Sequence, residues 1–214
     1  MKRQKDTLRF WESLLNKDIE IELSNIIPRE YYLNPTIEVA KGLIGDILVR
    51  IINGEILAGI IVETEAYLKD DPACHAFYGR TPKNEVMFGP PGYAYVYTVH
   101  KSHCLNIVTG EENIPEAVLI RALEPIKGIE LMKKFRRREN IKELCSGPGK
   151  LCEALNITRE ELNGYDVTKH GKLFVVKGEK REREIVARPR IGIKVAVDKL
   201  WRFYEKGNPF VSKK

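Results

Sequence analysis

Apolar and polar positions alternate with a period of two in several runs of the chain, a pattern typical of half-buried β-strands. Two such runs, 46–52 and 55–67, flank Asn53-Gly54, a dipeptide that favours a tight hairpin turn. We therefore predict an antiparallel pair of strands joined at this turn. Further strands are predicted in the runs GPPGYAYVYTV, AVLIRALEPI (with Arg121 at the strand end), KLFVV and RPRIGIKVA.

Helical periodicity and capping residues predict three helices among these strands. The first runs from about Pro35 to Lys41, the second from about Gly128 through the run IELMKKFRRREN, and the third begins near Pro148. The order of elements is mixed and does not follow a regular βαβ alternation, which favours an α+β fold. We predict one compact domain over residues 27–214, preceded by an N-terminal extension, 1–26, with a short amphipathic helix over 7–15.

One predicted strand carries its apolar run straight into acidic residues. After Ile60-Ile61-Val62, side-chain alternation places Glu63, Glu65 and Tyr67 on one face, roughly 6.5–7 Å apart. Carboxylates in a partly apolar setting can activate water and stabilise a positively charged transition state. The alternative is an edge strand whose acidic face is exposed to solvent, and spacing alone does not decide between the two.

A row of tyrosines is the second candidate feature. Alternation places Tyr93, Tyr95 and Tyr97 on one face of the run YAYVYTVHKSHCLN, close to histidine and lysine. Aromatic faces beside cationic side chains are typical of surfaces on which nucleic-acid bases stack. The alternative is that the tyrosine face packs against a helix.

Composition and charge narrow the class of protein. The 214 residues suffice for one well-buried core, and the net charge is +6 with a pI near 9.0. From Lys169 onward the chain has 14 Lys/Arg against 5 Asp/Glu, a balance that suits a polyanion such as nucleic acid. A lysine-rich solvated surface is the alternative. The run SGPGK, with Lys150 near a predicted helix start, is a candidate phosphate contact.

Other features exclude several classes. No apolar stretch is long enough for a membrane helix, and charges interrupt any signal-peptide core, so we expect a cytoplasmic protein without membrane contact. The four cysteines lack paired close spacing, so we expect reduced thiols and no metal site. A carboxylate, a stacking surface and basic sequence together indicate an enzyme that removes a nucleobase drawn out of the helix.

The motifs also carry a resemblance to a known family. The runs GIIVETEAYLKDDPACHAFYGRTPKNEVMFGPPGYAYVY, VLIRALEPIKGIELM, ELCSGPGKLCEALNI and LWRFYEKGNPFVS resemble the alkyladenine (3-methyladenine) DNA glycosylase family, in the family's order, from about Arg29 to Ser212. The resemblance implies a single α+β domain with a curved mixed or antiparallel sheet, flanking helices and a protruding β-hairpin. It implies no metal and no cofactor, and a partner in double-stranded DNA containing damaged purines, bound by a monomer.

The resemblance also implies roles for individual residues. Glu65 of ETEAY would be the general base that activates water. The remaining roles it implies are a base sandwich by Tyr67 and Tyr97, a wall and edge contact by His75, a gate against the guanine amine by Asn106, and DNA-backbone or active-site support by Arg121. Lys150, from its place near a helix start, is a candidate for the same support. Glu63 matches no catalytic position of the family and would be supporting or solvated. No lysine is adjacent to Glu65 in sequence, so we expect simple hydrolysis without a Schiff-base lyase step.

The chain departs from the family at one place. Family members carry a tyrosine followed by glycine at the hairpin tip, where the ring wedges into the stack; here the segment is one residue shorter and has His100 and Lys101. We expect weaker base flipping, or a wedge supplied by another side chain. Two alternatives stay open: a damaged-DNA binding protein that does not cut, and a glycoside hydrolase using Glu63 and Glu65.

Overall fold

The computed structural model describes residues 25–179 and 182–213. The predicted helix over 7–15 therefore lies outside the described residues, and the domain boundary at residue 27 stays a prediction. The strands are β1 (Ile47–Ile52), β2 (Glu55–Tyr67), β3 (Tyr93–Val99), β4 (Ser102–Thr109), β5 (Glu116–Lys127), β6 (Tyr165–Asp166), β7 (Leu173–Val176), β8 (Ile185–Arg188) and β9 (Arg202–Glu205). The helices are α1 (Thr36–Gly42), α2 (Ile129–Arg136), α3 (Pro148–Ala154) and α4 (Arg159–Leu162), with 3-10 turns at Arg29–Leu33, Glu85–Phe88 and Ile141–Glu143.

The strands form one curved antiparallel sheet in the order β6-β3-β4-β5-β2-β1-β7, and β9 adds to β2 and pairs with β8. Helix α1 packs against β2 and β5, and α3 packs against β4. The main apolar core lies between these helices and the sheet. The predicted α+β class and single compact domain are confirmed, and β2 is a central strand, so the edge-strand alternative for its acidic residues is wrong.

An irregularity in the pairing of the two long central strands, β2 and β5, changes which residues of β2 face the core, and this produces the acidic face. The pairing of β2 with β5 skips Val62 on one strand and Arg121 on the other, which is the arrangement of a β-bulge. Before this point Ile61 packs in the main core, and after it Ala66 does, so the core-facing side of β2 moves from odd to even residue numbers. The opposite face therefore changes at the bulge from apolar residues to the acidic residues of β2.

Three sequence predictions need correction. Arg121 lies in the middle of β5, at the bulge, and not at a strand end. The run RPRIGIKVA leaves the sheet after Arg188, because Pro189 lacks an N–H for a strand ladder. Helix α2 ends at Arg136 because Arg137 adopts a left-handed conformation (φ 51°), whereas the prediction continued it to Asn140.

Other predictions are confirmed closely. Strand β2 has the predicted limits, and Asn53 and Gly54 both have positive φ (51° and 84°), as the hairpin turn between β1 and β2 requires. Along the described ranges, no helix is long and apolar enough to cross a membrane.

Candidate active site

A cavity of about 420 Å³ opens on the face of the sheet that carries the acidic residues. Strands β3, β4, β5 and β2 line it in sheet order, and the loop 191–195 covers one side. Since adjacent strands lie about 4.8 Å apart, β3 and β2 are separated by roughly 14 Å along the sheet. Aromatic side chains from these two strands can therefore face one cavity from two sides, with β4 and β5 beneath.

The predicted aromatic residues meet in this cavity. Tyr67 of β2 and Tyr95 and Tyr97 of β3 all line it, together with His75. The His75 and Tyr97 rings are 4.3 Å apart between centroids, and His75 Nδ1 lies 3.0 Å from the Tyr95 hydroxyl. Of the three tyrosines of β3, Tyr95 and Tyr97 thus line the cavity and contact His75, whereas Tyr93 lies outside it beneath Arg29.

Glu65 is fully buried and does not itself line the cavity, but the three donors that hold its carboxylate all belong to lining residues. The backbone N–H of Ile191 donates to Oε1 at 2.7 Å, and the Tyr67 hydroxyl donates to Oε2 at 2.9 Å. Arg121 Nη1 lies 3.3 Å from the same Oε2. A carboxylate has about four lone-pair positions, so this arrangement leaves one position on Oε1 for a further donor such as water.

Glu63 is equally buried, but it binds a different set of partners. Its carboxylate accepts hydrogen bonds from Arg121 Nε (3.0 Å), Arg202 Nη1 (3.1 Å), and the N–H (2.7 Å) and hydroxyl (2.9 Å) of Ser212. Like Glu65, Glu63 does not line the cavity, but of these partners only Arg121 does. The expectation of a solvated Glu63 is wrong, the supporting role agrees with the geometry, and a glycoside hydrolase with two carboxylates flanking one bond does not fit.

Burial controls the titration of the cavity residues. Desolvation raises the pKa of Glu65, although Arg121, the Ile191 N–H and the Tyr67 hydroxyl oppose that shift. Burial also raises the pKa of Tyr67 and Tyr97 and lowers the pKa of His75. At neutral pH the tyrosines are therefore protonated and His75 is neutral. Burial alone would lower the pKa of Arg121, but Glu65 and Glu63 raise it, so Arg121 is charged.

The floor of the cavity contains the predicted Asn106 and Arg121. Asn106 is 4% exposed and donates from Nδ2 to the Tyr95 carbonyl at 3.1 Å, which fixes its side chain. Arg121 is 6% exposed, and its third nitrogen, Nη2, lies 3.4 Å from the Ser212 hydroxyl. Its observed partners are thus protein groups of the site, which agrees with the supporting role; a contact with the DNA backbone stays a prediction.

The remaining predicted residues lie at the cavity rim or beyond it. His100 and Lys101 form the exposed two-residue tip of the β3–β4 hairpin, and His100 has a positive φ of 54°. Positive φ is uncommon outside glycine, and histidine is one of the residue types in which it is enriched. Lys150 is exposed on α3, 3.3 Å from the Ser146 hydroxyl, and its neighbour Pro148 lines the cavity.

Sequence reasoning missed the loop that closes the site. Ile191 supplies a backbone donor to Glu65, and Arg190 stacks on Tyr67 and pairs with Asp71. A backbone donor leaves no side-chain signal in a sequence. The run RPRIG, an arginine between proline and glycine, was the available hint that this segment is a shaped loop.

The described residues contain no group of three or more His, Cys, Asp or Glu side chains arranged to hold a metal ion. All four cysteines are buried and free.

Comparison with known proteins agrees with the geometry. The family model of methylpurine-DNA glycosylase matches residues 30–209. A protein of Carboxydothermus hydrogenoformans named "Putative 3-methyladenine DNA glycosylase" is 51% identical over 191 residues, covering 88% of this chain and 100% of its own length. A protein of Methanocella arvoryzae with the same name is 49% identical over 195 residues, covering 88% of this chain and 96% of its own length. The chain belongs to the methylpurine-DNA glycosylase family.

Proposed function

We propose that this chain is a monofunctional DNA glycosylase that flips alkylated or deaminated purines out of duplex DNA and hydrolyses the N-glycosidic bond. The lesion classes are 3-methyladenine, 7-methylguanine, hypoxanthine and ethenoadenine. The observation that carries the proposal is Glu65, a buried carboxylate beside an aromatic cavity with one lone-pair position left for water. The product is an abasic site, and the protein acts as a monomer in the cytoplasm.

In the proposed reaction the ionised Glu65 accepts a proton from a water molecule bound at its Oε1. The water oxygen then forms a bond to C1′ of the sugar while the bond from C1′ to the base nitrogen breaks. The bonding electrons leave with the base, so a cationic alkylated purine departs as a neutral molecule. A neutral purine such as hypoxanthine or ethenoadenine departs as an anion, which takes up a proton from solvent water. The raised pKa of Glu65 makes it a stronger base than an ordinary carboxylate.

The cavity walls support selection of such bases. Tyr67 and Tyr97 present aromatic rings, which attract a cationic base through their π faces. The lowered pKa of His75 keeps this residue neutral, so it adds no repulsion toward a positive base. Asn106, fixed on the floor by its bond to the Tyr95 carbonyl, is positioned to exclude the exocyclic amine of unmodified guanine.

Positive charge surrounds the cavity mouth, which supports duplex DNA as the partner. Lys194 lines the mouth, Lys101 lies on the hairpin whose Val99 lines it, and Lys150 follows the lining residue Pro148. All three lysines are exposed. Phosphate contacts by such side chains make binding depend steeply on salt.

Single-turnover excision from duplex oligonucleotides that carry one hypoxanthine or ethenoadenine tests the proposal. We expect Glu65→Gln to reduce the rate by at least about a hundredfold, the scale of a lost general base, with lesion binding retained. Glu124→Gln is the matched control, since Glu124 is a buried carboxylate of β5 that bonds Asn208 away from the cavity. If Glu65→Gln excises the base as fast as the wild type, Glu65 is not the general base. Tight lesion binding without cutting of these or of alkylated purines would favour the damaged-DNA binding alternative.

The hairpin tip provides a second test of the same function. We propose that His100, held at positive φ at the tip, enters the gap left by the flipped base, and that Lys101 contacts phosphate. We expect His100→Ala to reduce excision about tenfold, more at stable base pairs than at mismatches, because unstacking costs a few kcal/mol. Rates on a lesion opposite a matched and a mismatched base measure this. If His100→Ala and Lys101→Ala both leave binding and excision unchanged, another side chain is the wedge.

A further inference from the structure

A buried ion pair lies behind the cavity wall. Arg190 and Asp71 have side chains that are 0% exposed, and both terminal nitrogens of Arg190 bond the Asp71 carboxylate, one of them at 2.9 Å. Arg190 Nη1 also donates to the backbone carbonyl of Ala66 at 3.0 Å. Neither residue lines the cavity. The pair therefore acts on the site through the groups that it holds.

Two such groups belong to the proposed machinery. The Arg190 guanidinium carbon lies 4.6 Å from the centroid of the Tyr67 ring and 5.1 Å from that of Trp201, so it stacks between these aromatic rings. Tyr67 also lines the cavity. The next residue along the chain, Ile191, donates its N–H to Glu65 Oε1 at 2.7 Å.

A buried ion pair is weak evidence for a contribution to stability, because desolvation of the two charges opposes their attraction. A bidentate arginine is, however, well suited to fix a geometry, since its planar fork has few alternative arrangements. Here the fork joins the loop after Pro189 to the segment after β2, the two pieces of chain that flank Glu65.

We propose that Arg190, held by Asp71, is a positioning residue for excision, which fixes the Tyr67 ring and the Ile191 N–H, and that the balance of their charges sets the preference between cationic and neutral lesions. This inference rests on the proposed function. Arg190 places a positive charge behind Tyr67, on the same ring against which a flipped base would stack. Asp71 neutralises that charge, and without it a cationic base would be repelled.

The first test separates charge from geometry. In Asp71→Asn, we expect the ratio of 7-methylguanine excision to ethenoadenine excision to fall about tenfold, because an unscreened cation close to a cationic base weakens its binding in a partly buried site. In the double variant Asp71→Asn/Arg190→Gln both charges are absent, and we expect the ratio to return to the wild-type value while the rates stay lower. A merely structural role would reduce both lesions equally in both variants.

The second test uses the pH profile. The groups that face Glu65 are Glu63 and Tyr67 of β2, Arg121 of β5, Tyr97 of β3, Cys104 of β4, Arg202 of β9 and the Ile191 N–H. The Ile191 N–H stabilises the ionised Glu65 carboxylate, and Arg190→Met should loosen the loop that holds this N–H in place. We expect the acidic limb of the single-turnover rate to move upward by about one pH unit, with the saturated rate changed more than the half-saturating DNA concentration. Arg190→Lys keeps the charge but not the fork, so we expect it not to restore the limb.

Glu161→Gln is the control, since it breaks another pair with a buried arginine, Arg50 (2.6 Å), outside the cavity. We expect it to leave the lesion ratio and the acidic limb as in the wild type. One outcome would overturn this inference and leave the proposed function intact. In it, Glu65→Gln abolishes the excision seen in the wild type, while the Asp71 and Arg190 variants keep the wild-type lesion ratio and the wild-type acidic limb of the pH profile. If the wild type binds lesions without cutting, the ratio of their binding affinities tests the charge arm: an unchanged ratio in Asp71→Asn overturns it.

Discussion

Glu63 and Glu65 lie two residues apart on one face of β2 and are equally buried, yet they connect to different regions of the molecule. Glu63 faces the C-terminal segment, where Arg202 and both polar groups of Ser212 bind it. Glu65 is bound from the cavity side, by the lining residue Tyr67 and the loop residue Ile191. Arg121 contacts both carboxylates and is the link between the two regions.

The two regions differ in how completely the carboxylate is compensated. Glu63 receives four hydrogen bonds, three at Oε1 and one at Oε2, and two of the four come from guanidinium groups. Glu65 receives three contacts, and its pKa is raised because burial outweighs them. Two guanidinium groups thus bind the charge of Glu63, whereas Glu65 has one guanidinium partner and a raised pKa, as suits a base.

This comparison predicts opposite effects of one substitution at the two positions. In Glu63→Gln, the NH2 of the new side chain must face at least one of the hydrogen-bond donors that surround Glu63, and Arg121 and Arg202 lose a charged partner. Removing one member of a buried pair typically costs 3–5 kcal/mol, and we expect a loss of about 3 kcal/mol in the free energy of unfolding. Excision by the folded molecules should stay within about tenfold of the wild type, because Arg121 is the one partner of Glu63 that lines the cavity.

Glu65→Gln should show the reverse pattern. The folded-state pKa of Glu65 lies above its unfolded value, so at neutral pH the ionised group opposes folding, and loss of its charge relieves that opposition. We therefore expect a smaller loss of stability together with the loss of excision. Urea denaturation of both variants, beside their single-turnover rates, measures the comparison. Equal loss of stability at the two positions, or loss of excision in folded Glu63→Gln, would contradict the division of roles.

The sequence predicted the elements that carry this site better than the contacts within it. The alternation that placed Glu65 and Tyr67 on one face holds because both lie on the same side of the bulge. The bulge itself was not predicted, since it arises from the pairing of β2 with β5, two strands far apart in sequence. For the same reason Arg121 was assigned to a strand end, although its charge is directed at two carboxylates of the neighbouring strand.

The burial of the acidic residues of β2 was the second feature that could not be predicted from the sequence. An acidic residue after an apolar run is compatible with an edge strand, and only the addition of β5, β1 and β9 around β2 makes the position central. The resemblance to a family supplied candidate roles, but not the partners Arg190 and Ser212, which come from distant loops. Residues that act by holding others leave little trace in local pattern.

The smallest expected effect concerns pH and joins the two regions through electrostatics. As a base, Glu65 must be ionised, so excision should fall as pH decreases through its raised pKa, at a higher pH than an ordinary glutamate, near 4.3, would give. The negative charge of Glu63 contributes to that raised pKa. Glu63→Gln should therefore move the acidic limb of the single-turnover rate downward, by a fraction of a pH unit.

The neutral His75 is the other group whose titration could produce such a limb, since its pKa is lowered from the usual histidine value. The limb should persist in His75→Gln, at a reduced rate, if Glu65 is the titrating base. A limb that disappears in His75→Gln would assign the titration to the imidazole. A limb that moves upward in Glu63→Gln would mean that Arg121, freed from one carboxylate, no longer lies close enough to Glu65 to stabilise its charge.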